Sequence, residues 1–98
     1  MKIFKDKHTL RKEILKTKGI SFVPTMGGLH KGHISLIKQS KKSKFKTLVS
    51  IFVNPKQFNK KSDFKSYPRN IKKDIKQLKK LKINYLYIPT FKDIYGFK

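Results

Sequence analysis

A parallel α/β sheet with flanking helices is predicted for this 98-residue chain by three observations. Short apolar runs rich in β-formers alternate with segments of helical spacing. Each run is followed by a turn-former or breaker. The runs are nearly continuous in apolar residues, as in strands covered on both faces. In chain order, residues 6–17 read as a helix with Leu10, Ile14 and Leu15 inward and Gly19 just past its end. Ile20-Ser21-Phe22-Val23 reads as a strand stopped by Pro24. Residues 33–44 read as a helix in which Ile34 and Ile37 stand three apart and Leu36 broadens the face. Leu48-Val49-Ser50-Ile51-Phe52-Val53 is the second strand, closed by Asn54-Pro55. Residues 70–82 carry Ile71, Ile75, Leu78 and Leu81 at helical steps, and Tyr85-Leu86-Tyr87-Ile88 is a third strand before Pro89. The order α-β-α-β-α-β calls for right-handed crossovers, and a strand order of 3-2-1 or similar is expected. Three strands make a small sheet, and the chain stops in a loop-like Tyr95-Gly96-Phe97-Lys98. The expectation is therefore one incomplete domain over residues 1–98, the N-terminal part of a larger protein whose C-terminal domain is absent.

Composition narrows the function classes. Hydrophobic residues make up 37% of the chain and aromatics 12%, enough for one core but not two. The absence of cysteine excludes a disulfide framework, a thiolate metal site and a cysteine nucleophile. No apolar run approaches a membrane span and the Met1 end lacks a signal peptide's apolar core, so a cytoplasmic protein with no membrane partner is expected. Lys and Arg total 26 against five acids, a net charge of +21, which alone points to a polyanion or RNA partner. Only Arg11 and Arg69 are arginines, however, and the lysines are dispersed from Lys2 to Lys98. Phosphate and guanine readers favour arginine's planar fork, so the charge implies weak, salt-sensitive polyanion binding and no specific nucleic acid.

The densest chemical signal is Val23-Pro24-Thr25-Met26-Gly27-Gly28-Leu29-His30-Lys31-Gly32-His33, between the first strand and the following helix. Ligands of open α/β sheets bind outside the carboxyl ends of strands, and a helix N-terminus there attracts phosphate. Gly27, Gly28 and Gly32 allow close approach of the backbone, and His30 and His33 are one helical turn apart. The string contains neither G-x-x-x-x-G-K-[ST] nor G-x-G-x-x-G. An H-x-x-H pair in isolation describes two solvated histidines, and a zinc site lacks a suitable third ligand nearby. The strand-to-helix position is what favours a ligand site.

His30-Lys31-Gly32-His33 matches the H-x-G-H signature of the nucleotidyltransferase superfamily, and the longer string resembles the pantothenate synthetase family in particular. Val49-Ser50-Ile51-Phe52-Val53-Asn54-Pro55-Lys56-Gln57-Phe58 is similar to that family's second strand and loop. Asp63-Phe64-Lys65-Ser66-Tyr67-Pro68-Arg69 followed by Asp74, then Tyr87-Ile88-Pro89-Thr90 and Asp93-Ile94-Tyr95, continue the match. The Phe52-to-Phe58 string argues against another H-x-G-H adenylyl- or cytidylyltransferase.

The resemblance implies a Rossmann-like ATP-dependent ligase that condenses (R)-pantoate with β-alanine through a pantoyl-adenylate, releasing AMP and pyrophosphate. It implies that Met26, Gly27, Gly28, Leu29, His30, Lys31, Gly32 and His33 bind ATP, with His33 as the catalytic proton donor. It implies that Gln57 binds pantoate beside the β-alanine site, that Asp74 helps hold Mg²⁺, and that the full-length enzyme is a homodimer. Lys73 stands where many relatives carry a second acid, and Gln77 matches a polar residue of the same region. Tyr67 and Arg69 are expected in structural or interface roles and His8 in none beyond solvation. The family's later motifs complete the pantoate site and close over the phosphates. Without them, these 98 residues are not expected to complete the ligation alone.

Overall fold

The computed structural model describes residues 1–52 and 71–90. Four parallel strands form one sheet: β1 (Lys2–Phe4), β2 (Ile20–Thr25), β3 (Lys46–Ile51) and β4 (Tyr85–Tyr87), in the order β1-β4-β3-β2. Helices α1 (Lys7–Ile14), α2 (Lys31–Lys41) and α3 (Ile71–Leu81) lie between successive strands. The three expected strands are adjacent in the expected order, with Phe22 opposite Leu48 and Leu48 opposite Tyr85.

Two departures have local causes. β1 was not expected, because Lys2-Ile3-Phe4 is too short to show a period; it adds an outer strand through Lys2↔Tyr85, Ile3↔Leu86 and Phe4↔Tyr87. Pro24, expected to stop the strand, lies inside β2, opposite Ser50. β2 is the sheet's outer strand among the described residues, and an edge strand tolerates a residue without an N–H.

The core forms on both faces of the sheet. Ile37 of α2 and Leu78 of α3 pack with Val23, Val49, Ile51, Ile83 and Leu86, while Leu29, Ile71, Ile75 and Leu81 pack against this cluster. Leu10 of α1 joins Leu48 and Tyr85 on the other face, backed by Phe4, Ile14 and Ile20. A buried hydroxyl chain ties α2 to the sheet: Ser40 Oγ bonds Ser21 Oγ at 2.6 Å and Thr47 Oγ1 at 3.1 Å.

The helix limits correct two packing expectations. α1 is capped by Asp6, whose carboxylate accepts the Thr9 N–H at 3.0 Å, and it ends at Ile14 rather than residue 17. Leu15 is its C-cap and is 74% exposed, beyond the buried stripe. Leu36 is 55% exposed although its neighbour Ile37 is fully buried, because one helical step turns the side chain by about 100°.

Candidate functional site

The turn after β2 is pinned by side chains at Gly27, Gly28 and Leu29. Thr25 Oγ1 donates to the Ser50 carbonyl at 2.8 Å and accepts the Gly27 N–H at 3.2 Å. Gly27 and Gly28 follow with φ of 86° and 62°, in the region that favours glycine. The Gly28 N–H donates to Asp74 Oδ2 and the Leu29 N–H to Asp74 Oδ1, both at 3.0 Å. A Cβ on Gly27 would stand 3.3 Å from both Asp74 Oδ2 and Ile51 Cγ2, so the missing side chain is what lets the carboxylate come up beneath the turn.

His30 is the N-cap of α2, and the two histidines cap the helix reciprocally. The His30 Nδ1 accepts the Gly32 N–H at 3.0 Å, and the His33 Nδ1 accepts the His30 N–H at 3.2 Å. The rings lie 4.1 Å apart between centroids, tilted by 43°. These roles normally fall to a Ser or Thr cap and a Glu three residues later. Gly32 is required by the same geometry, since a Cβ there would sit 2.9 Å from the His30 Cε1. The glycine of H-x-G-H is the space into which the first imidazole folds.

This network decides what the site offers a ligand. The N–H groups of Gly27, Gly28, Leu29, His30 and Gly32 all have partners inside the protein. These five N–H groups are therefore not an open phosphate cradle. Because each ring accepts at Nδ1, a neutral imidazole must carry its proton on Nε2, and both rings become fixed Nε2–H donors. The α2 N-terminus adds its partial positive charge at the same place.

Burial holds the His33 pKa below its usual value, with the nearby His30 acting in the same direction and the Asp74 charge opposing both. The unfolded chain thus binds a proton on this residue at a higher pH than the folded chain does. Stability at this residue is complete above the ordinary histidine pKa of about 6.5 and is lost as pH falls through that value toward the lower folded one. Protonation at Nδ1 would also remove the acceptor that caps the His30 N–H. We expect imidazole ¹⁵N spectra to show His33 as the Nε2–H tautomer with a midpoint below 6.5, and a midpoint above it would contradict the capping geometry.

The structure brings Met26, Gly27, Gly28, Leu29, His30, Lys31, Gly32, His33 and Asp74 to one end of the sheet. Met26 is 39% exposed, and His30, Lys31 and Gly32 are exposed. Gln57, Tyr67 and Arg69 lie outside the described residues, as does most of the loop containing Gln57. His8 is exposed on α1. Gln77, one turn beyond Asp74, buries its Oε1 with no hydrogen-bond partner among the described residues.

The expected Mg²⁺ role does not fit Asp74. Its side chain is 2% exposed, each oxygen already accepts a backbone N–H, and no group of three or more His, Cys, Asp or Glu among the described residues could hold an ion. Magnesium demands near-octahedral room for its waters, which this carboxylate does not have. The sequence marks Thr25 only as part of the motif string; that its hydroxyl ties the turn to the Ser50 carbonyl and the Gly27 N–H is visible only in the structure.

Among the described residues no helix is long and apolar enough to cross a membrane. The family model described as pantoate-beta-alanine ligase matches residues 2–98. The chain is 48% identical over 91 residues to the pantothenate synthetase of Francisella tularensis subsp. novicida, covering 93% of this chain and 35% of that protein. A second pantothenate synthetase, from Francisella tularensis subsp. tularensis, is 49% identical over 88 residues, covering 90% of this chain and 34% of that protein. Among solved structures, the pantoate-beta-alanine ligase of Francisella tularensis complexed with beta-gamma ATP and beta-alanine aligns with a TM-score of 0.85 at 46% identity, over 97% of this chain and 38% of that one. The pantothenate synthetase of Thermus thermophilus aligns with a TM-score of 0.88 at 32% identity, over 98% of this chain and 34% of that one. The chain thus spans about a third of the length of the relatives it matches.

Proposed function

The chain belongs to the pantoate-β-alanine ligase family, and we propose that it forms the ATP-binding portion of an enzyme condensing (R)-pantoate with β-alanine. In the proposed reaction the pantoate carboxylate oxygen attacks the α-phosphorus of ATP, and the bond from that phosphorus to the bridging oxygen breaks, releasing pyrophosphate. The β-alanine amine then attacks the acyl carbon of the adenylate, loses a proton and displaces AMP. Negative charge develops on the phosphate oxygens in the first step, and a fixed donor aimed at that charge stabilises the transition state.

The observation that carries this reading is the capped histidine pair. Its Nδ1 atoms are committed to the backbone, so His30 and His33 meet a phosphate through Nε2 without having to reorient. Preorganisation of this kind is what distinguishes a catalytic donor from a solvated histidine. The other parts of the proposal are that residues 26–33 bind ATP, that His33 is the catalytic residue and offers its Nε2–H as a hydrogen-bond donor to the developing phosphate charge, that Gln57 holds pantoate next to β-alanine, and that the full-length enzyme is a homodimer. The relative solved with beta-gamma ATP and beta-alanine supports ATP and β-alanine as the ligand classes.

Titrating the ¹⁵N-labelled chain with ATP tests the nucleotide site directly. Amide and imidazole shifts are expected to cluster at residues 26–33 and to saturate. Shifts scattered over the lysine-bearing faces and abolished by moderate salt would mean that only the +21 charge is binding.

A further inference from the structure

We propose that Asp74 is a positioning residue, a buried carboxylate that fixes the Gly28-Leu29 turn and through it the histidine pair, instead of ligating a metal ion. The first support is placement. Asp74 occupies the same inward stripe of α3 as Ile71, Ile75 and Leu78, where a charge is costly unless hydrogen bonds compensate it. The second is stoichiometry: two oxygens meet two successive N–H donors, 46 and 45 residues away in the chain. The third is fit, because Gly27 lacks the Cβ that would crowd Asp74 Oδ2. Leu29, held by one of these bonds, directly precedes His30, whose own N–H and ring complete the cap of α2. The chain of contacts thus runs from the core of α3 to the two Nε2 donors. It deepens the ATP-site reading and rests on that reading only for the last of the measurements below.

The first measurement needs no substitution. In the ¹³C,¹⁵N-labelled chain, scalar couplings across hydrogen bonds should link the Gly28 and Leu29 amide nitrogens to the Asp74 side-chain carboxyl carbon. Absence of both couplings in well-resolved spectra would overturn the proposal. The second uses Asp74→Asn, which keeps the shape but turns one acceptor into a donor facing an N–H. Hydrogen exchange at Gly28 and Leu29 should accelerate by about tenfold or more, the scale of losing a charge-assisted bond, while Val49 and Leu86 keep their protection. Unchanged exchange at the turn would count against Asp74.

The third measurement compares ATP affinity with and without Mg²⁺. A positioning role predicts that Asp74→Asn weakens ATP by about tenfold or more in both conditions. Weakening confined to the Mg²⁺ condition would establish a metal ligand and overturn the proposal. If the parent chain binds no ATP at all, the nucleotide reading fails, and the coupling and exchange measurements still decide what Asp74 does.

Discussion

In a chimera that joins this chain to the remainder of the Francisella tularensis synthetase, His33→Ala is expected to slow pantoyl-adenylate formation by about 10²–10³-fold, or roughly 3–4 kcal/mol of transition-state stabilisation. The geometry gives the reason. His33 lies in the first turn of α2, its Nδ1 is held by the His30 N–H, and its Nε2 remains for the phosphate. Alanine removes both the donor and a cap, and the two losses separate experimentally. Loss of the cap lowers stability by about 1 kcal/mol and is seen in melting. Loss of the donor is seen in single-turnover adenylate formation with ATP and pantoate, β-alanine omitted. His30→Ala should impair the same step, and the double mutant should fall short of additivity, because the rings are 4.1 Å apart and each orients the other. A His33→Ala chimera forming adenylate within a few-fold of the parent would remove His33 from the chemistry.

The difference between what sequence could reveal and what required coordinates follows from the range of the interactions. Periodicity located β2, β3 and β4 and the three helices among the described residues, because an apolar stripe is written in neighbouring residues. It failed at Leu36 and Leu15, where a hydrophobic residue lies beside the stripe or past the helix end and only packing shows that it faces water. The chemistry-bearing turn was recognisable from its glycines and histidines, yet its working was not. That the glycine of H-x-G-H makes room for the His30 ring, and that both imidazoles accept at Nδ1, are facts of backbone direction. Asp74 is the instructive case. The family resemblance implies a metal role for it, whereas its partners stand 45 and 46 residues earlier in the chain. A clue was nevertheless present, since an acid three residues from Ile71 and four from Leu78 occupies a position that faces the core.

The largest effect on stability is expected at Leu78. Its side chain is fully buried between α3 and the sheet, in the cluster formed by Val23, Ile37, Val49, Ile51, Ile83 and Leu86. Leu78→Ala removes apolar contacts and leaves a cavity that close-packed neighbours fill only partly, a loss of about 2–5 kcal/mol. Small domains have only about 5–15 kcal/mol of stability in total, so the melting temperature should drop on the order of 10–30 °C. Leu36→Ala provides the control: it deletes the same atoms from a side chain that is 55% exposed, and it should shift stability by no more than about 0.5 kcal/mol. Because Leu78 sits one turn beyond Asp74 on the same helix, loosening α3 should also raise hydrogen exchange at Gly28 and Leu29 before the sheet itself opens. Thermal unfolding by circular dichroism, with exchange read at those two amides, tests both statements. Equal melting shifts for Leu78→Ala and Leu36→Ala would show that the described packing is not what holds α3 against the sheet.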